Sequence, residues 1–103
     1  MRIILILMLY SFLSIAQQNK EQLAYQYFIN QEYNKAIIIY EELNQKRFSI
    51  KYYRPYFSSL INTEQFISAE KIARKALKIF PKNLEYEIEI GVTYQKRGNN
   101  RKA

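Results

Sequence analysis

From residue 20 onward, apolar and aromatic residues recur every three or four positions, with polar residues between them. This is the period of an α-helix that buries one face. Short interruptions divide the pattern and predict helices at about 20–30, 32–45, 51–62, 63–80 and 83–98, with a sixth beginning at 99. Asn30-Gln31 is expected to end the first helix, and Pro81 and Gly98 the fourth and fifth. Thr63 and Asn83 are expected to cap the fourth and fifth helices at their N-termini.

A short pattern repeats along this helical stretch. Tyr33 precedes Ala36 by three positions, and Phe66 precedes Ala69 in the same way. The two alanines are 33 residues apart, and Ala103 follows Ala69 by 34. A period of this length indicates an array of stacked helical hairpins.

The first 16 residues have a different pattern. Met1 and Arg2 precede an almost wholly apolar run over 3–15. Small residues follow two apart at its end, at positions 14 and 16. These features are typical of a secretory signal peptide, and the run is shorter than the roughly 20 residues of a membrane-spanning helix. We therefore expect cleavage after Ala16 and export to the periplasm or cell envelope, or secretion; a buried first helix and an uncleaved anchor are the alternatives.

The amino-acid composition excludes several kinds of functional site. The chain contains no histidine, cysteine or aspartate. Disulfides, lipid attachment through cysteine, thiolate zinc sites and histidine-based catalysis are therefore excluded. No glycine-rich phosphate loop or nucleophile elbow appears either, so we expect no enzyme activity, cofactor or metal.

The formal net charge of +7 comes partly from a basic stripe. Lys71, Lys75, Lys78 and Lys82 are spaced by four, three and four residues, so they are expected to share one helical face, with Arg74 beside them. A stripe of this kind is either a solvated outer face or a patch for anionic lipid or polysaccharide. The abundance of lysine, asparagine, isoleucine and tyrosine, typical of AT-rich coding DNA, favours the first reading. Nucleic acid is not expected, because no reading helix or stacking platform is evident.

The repeats resemble the tetratricopeptide repeat, a helix–turn–helix unit of 34 residues. The matching residues are Leu23, Ala24, Tyr27, Tyr33, Ala36, Tyr40 and Leu43 in the first unit; Tyr53, Leu60, Phe66, Ala69, Ala73, Ala76 and Pro81 in the second; and Ile90, Gly91, Tyr94, Gly98 and Ala103 in the third. The resemblance implies an all-α, right-handed α-solenoid of antiparallel helix pairs over 17–103. Its units span about 17–50, 51–83 and an incomplete 84–103, about two and a half repeats, which suggests a fragment of a longer array.

In this family the first helix of each pair lines a concave groove that holds a peptide or protein segment. By position, the resemblance assigns the groove to Tyr25, Phe28, Lys51, Arg54, Asn62, Val92 and Lys96, with Gln18, Glu21, Ile29, Ser58, Ile61, Glu85, Ile88 and Gln95 beside them. The carboxylate clamp of the chaperone-binding members is not expected, because Tyr25, Ser58 and Val92 stand where its asparagines should alternate.

From the resemblance and the signal-peptide pattern together, we expect an exported protein-interaction scaffold. The alternatives are a basic module on anionic envelope components, with peripheral membrane contact, and the sensor-side segment of a longer signalling protein. The identity of the partner and the oligomeric state stay open.

Overall fold

The structure is a computed structural model and describes residues 20–102. The predicted signal peptide at 1–16, the predicted groove residue Gln18 and the third repeat alanine, Ala103, lie outside the described residues. The described part is helical over 20–29 (α1), Tyr33–Asn44 (α2), Tyr53–Asn62 (α3), Phe66–Ile79 (α4) and Leu84–Lys102 (α5). A 3₁₀ turn, Ile50–Tyr52, leads directly into α3. No strand occurs within this range, so the all-α prediction is confirmed there.

Two turns with the same geometry join α1 to α2 and α3 to α4. Gln31 and Glu64, 33 residues apart, both adopt a left-handed backbone, with φ of 62° and 60°. In the first turn the Glu32 N–H donates to the carbonyl of Tyr27 at 2.8 Å; in the second, the Gln65 N–H donates to Leu60 at 2.8 Å. The 33-residue spacing of the sequence repeat therefore also occurs in the backbone conformation.

Small residues lie at the centre of the packing. Ala24, Ala36, Ala69, Ala73 and Ala76 are all fully buried. Alanine at these positions lets helices approach closely, and aromatic rings such as Tyr40, Tyr53 and Tyr86 fill the adjoining space. Helix α2 packs on α3, α3 on α4 and α4 on α5, so helices that are neighbours in sequence are neighbours in space.

Two predicted helix ends are wrong. Thr63 does not cap α4; its hydroxyl donates back to the Ser59 carbonyl at 2.9 Å. Gln65 occupies the N-cap position, and its side chain makes no capping bond to α4. Gly98 does not end α5, which continues to Lys102 and replaces the predicted sixth helix. Asn83 does cap α5, because its side-chain oxygen accepts a hydrogen bond from the Glu85 N–H at 2.9 Å.

The helices of the described part are too short or too polar to cross a bilayer.

Candidate functional site

Charged contacts join α1 to the 3₁₀ turn that precedes α3, and α3 to α5; these elements carry the predicted groove residues. At one end, Glu21 of α1 accepts a hydrogen bond from the Tyr52 hydroxyl and forms an ion pair with Lys51 at 3.1 Å. Lys51 therefore lies at the junction of α1 with the start of α3. Burial and the hydrogen bond to Glu21 raise the pKa of Tyr52 to about 12. The hydrogen bond from Tyr52 in turn holds the pKa of Glu21 below its usual value.

A denser cluster joins α3 to α5. Arg54 contacts both Glu85, at 2.9 Å, and Glu89. The Tyr53 hydroxyl donates to Glu89 at 3.0 Å. The Glu89 side chain is only 14% exposed, whereas that of Arg54 is 51% exposed. Burial is the main cause that raises the pKa of Tyr53, and the neighbouring Glu89 adds to it.

The remaining predicted groove residues are mostly open to solvent. Tyr25 is 52% exposed, and Asn62, Val92 and Lys96 are also exposed. Phe28 is half-buried between Tyr25 and Tyr33, with both ring centroids 6.1 Å from its own. The Asn62 amide donates to the Ser58 carbonyl one turn earlier, at 2.7 Å.

The predicted basic patch lies on α4, except that Lys82 is not on this helix, because α4 ends at Ile79. Lys71, Arg74, Lys75 and Lys78 are all exposed. Arg74 forms an ion pair with Glu70 at 3.4 Å. Within residues 20–102, the other three cations form no ion pair.

Sequence reasoning does not find the contacts that Glu21 and Glu89 make with other elements. Glu21 was assigned to the groove only by position, and Glu89 was not assigned to it. A signal was present, since Glu85 and Glu89 share one face of α5. Their partner, Arg54, lies more than 30 residues away, a distance that periodicity within one helix does not bridge.

No family model, curated protein or solved structure matches the chain.

Proposed function

We propose that this chain is an exported protein-interaction module of tetratricopeptide type, a right-handed solenoid that holds a peptide or protein segment against α1, α3 and α5. The sequence period and the 33-residue repeat of the left-handed turns support the fold. Export rests on the pattern of residues 1–16.

The contacts of Arg54 with α5 carry the proposal. Arg54, Ser58 and Asn62 follow one another at intervals of four residues, so they form one stripe along α3. Because Arg54 reaches Glu85 and Glu89, this stripe runs beside the face of α5 that continues from Glu85 towards Val92. The contacts of Glu21 join α1 to the start of the same stripe.

Exposed apolar side chains give this surface its chemistry. Tyr25 and Ile29 on α1, and Ile88 and Val92 on α5, are each more than a third exposed. Exposed apolar side chains grouped on one face are typical of protein-binding surfaces. Lys51 and Arg54 are already paired with carboxylates, so apolar side chains of the segment supply most of the recognition. Lys96 remains exposed to meet an acidic residue.

Peptide selection on phage with the purified full chain tests the proposal. We expect enriched peptides to contain large apolar residues, and Tyr25→Ala and Ile88→Ser to weaken their binding about tenfold or more, as loss of a central apolar contact does. Fluorescence anisotropy with a labelled enriched peptide measures the affinity.

Ile38→Ser on α2 and Ile67→Ser on α4 are the matched controls, since these isoleucines are 66% and 69% exposed but lie on the other two helices. They should leave the affinity unchanged. If they weaken binding as much as Ile88→Ser does, the peptide does not bind at α1, α3 and α5.

A second candidate function is attachment to anionic envelope components through the basic patch. The observation that favours it is that Lys71, Lys75 and Lys78 are exposed without an ion pair in the described part of the chain. We expect binding to vesicles that contain phosphatidylglycerol, a steep loss with added salt, and weaker binding of the triple variant with glutamine at these positions. Binding that is indifferent to salt would contradict it.

A further inference from the structure

A cavity of about 230 Å³ opens between α2, the segment 45–49 and α4. It lies on helices other than the three of the proposed peptide surface, apart from one ring contributed by α3. Its lining combines apolar, hydroxyl, amide and charged groups: Glu41, Asn44, Phe48, Tyr56, Ser68, Lys71, Ile72 and Lys75.

The apolar part of the cavity is held in place by the surrounding fold. Tyr56 and Ile72 are buried, and Phe48 is half-buried. The Asn44 amide donates to the Tyr40 carbonyl at 2.7 Å, and its oxygen accepts from the Ser49 N–H at 2.7 Å. These two bonds tie the segment that carries Phe48 to α2, so an apolar wall exists before any ligand arrives.

Opposite charges lie on opposite helices around this wall. Glu41 is on α2, whereas Lys71 and Lys75 are four residues apart on α4 and so share a face. Within residues 20–102, no lysine nitrogen lies within 4.0 Å of the Glu41 carboxylate. The Lys75 ammonium instead lies 6.0 Å from the centroid of the Phe48 ring. Glu41, Lys71 and Lys75 therefore line the cavity without forming an ion pair with one another in the described part of the chain.

We propose that this cavity binds a free amino acid with an aliphatic or aromatic side chain. The ammonium of the ligand meets Glu41, its carboxylate meets Lys71 and Lys75, and its side chain packs on Phe48 and Ile72. A zwitterion satisfies both signs of charge at once, whereas an anion or a cation satisfies only one. The volume also suits a small ligand, because it is below the roughly 300–1,000 Å³ of pockets for drug-sized molecules.

Amide NMR spectra of the ¹⁵N-labelled full chain, titrated with L-leucine and L-phenylalanine, test the proposal. We expect saturable shifts at Phe48, Ser68, Lys71 and Lys75. 3-Phenylpropionate lacks the ammonium and 2-phenylethylamine lacks the carboxylate, so each should bind about fivefold more weakly than phenylalanine, the usual worth of one partly exposed charge pair.

Single variants locate the charges. Glu41→Gln should weaken the binding of phenylalanine about fivefold but leave the binding of 3-phenylpropionate unchanged, because that ligand has no ammonium. Lys75→Gln should also weaken the binding of phenylalanine about fivefold but leave the binding of 2-phenylethylamine unchanged, because that ligand has no carboxylate. Lys78→Gln, on the same helix but outside the lining, is the control and should bind as the unaltered chain does. The proposal is overturned if no shift saturates, if the shifts map to α1 and α5, or if phenylpropionate binds as tightly as phenylalanine. Because the site is separate from the peptide surface, each of these outcomes leaves the proposed function untouched.

Discussion

Gln31 and Glu64 hold a backbone conformation that glycine adopts without steric cost. For other residues the left-handed region brings the β-carbon too close to the following carbonyl oxygen, at a cost of roughly 1–2 kcal/mol. Both residues remain there because the hydrogen bonds of Glu32 to Tyr27 and of Gln65 to Leu60 fix the turns.

We therefore expect Gln31→Gly to raise the free energy of unfolding by about 1 kcal/mol, measured by urea denaturation. Gln26→Gly is the control, since Gln26 is exposed within α1. It should lower stability by about 0.5–1 kcal/mol, as glycine does in a helix. Equal losses in the two variants would mean that residue 31 is not left-handed.

Glu21 gives a prediction about pH. Its pKa is lowered in the folded protein, chiefly by the hydrogen bond from Tyr52. Its contribution to stability is therefore present above the unfolded pKa, near 4.5, and is lost as the pH falls through the folded value.

Glu21→Gln should accordingly be less stable than the unaltered chain at pH 7, and the difference should shrink as the pH approaches 3. Urea denaturation at several pH values measures this. A difference that persists unchanged at pH 3 would exclude the Glu21 charge as its source.

At the scale of elements, α3 lies between α2 and α4 and packs against both. Its Arg54 forms ion pairs with α5, and the 3₁₀ turn that leads into it contacts α1 through Lys51. The link to α5 is concentrated in Glu89, whose side chain is mostly buried against Tyr53 and Arg54.

A double-mutant cycle with Arg54→Met and Glu89→Gln should give a coupling energy of about 0.5–1 kcal/mol, since the arginine is half exposed. The pair Arg74 and Glu70, within the single helix α4, is the comparison and should give about 0.3–0.5 kcal/mol. A coupling near zero for the first pair would show that it does not hold α5 on α3.

Most helix positions could be predicted from the sequence, because burial of one face imposes a period that is visible residue by residue. The errors arose where a local signal had two outcomes. Thr63 can cap the helix that follows or bond back to the helix that precedes, and the second occurs. Glycine commonly ends a helix by adopting a left-handed backbone, but Gly98 keeps a negative φ, so α5 continues through it.

The groove residues follow from the family resemblance by position, and that assignment stays a prediction. The cavity between α2 and α4 was not foreseen. Its lining comes from residues 41 to 75, which the chain brings together only through the packing of three helices. The period of apolar residues within one helix does not indicate which residues of different helices lie close together.

For the molecule as a whole, the buried tyrosines predict its behaviour in alkali. Burial raises the pKa of Tyr40 and of Tyr56 to about 12. A phenol with a raised folded pKa contributes stability that is complete below its unfolded value, near 10, and is lost as the pH rises towards 12.

Ultraviolet absorbance of tyrosinate measures this titration. We expect the intact chain to need a higher pH than the same chain in concentrated urea, and its helical circular dichroism to fall as the delayed phenols ionise. Coincident titration curves in the two solvents would show that these rings are accessible to water.

The packing of each helix on the next in sequence has a consequence for kinetics. When contacts join segments that are close along the chain, little loop-closure entropy is lost before they form. The chain should therefore refold in roughly microseconds to milliseconds, the range of helical proteins with low contact order, and temperature-jump experiments would record that speed.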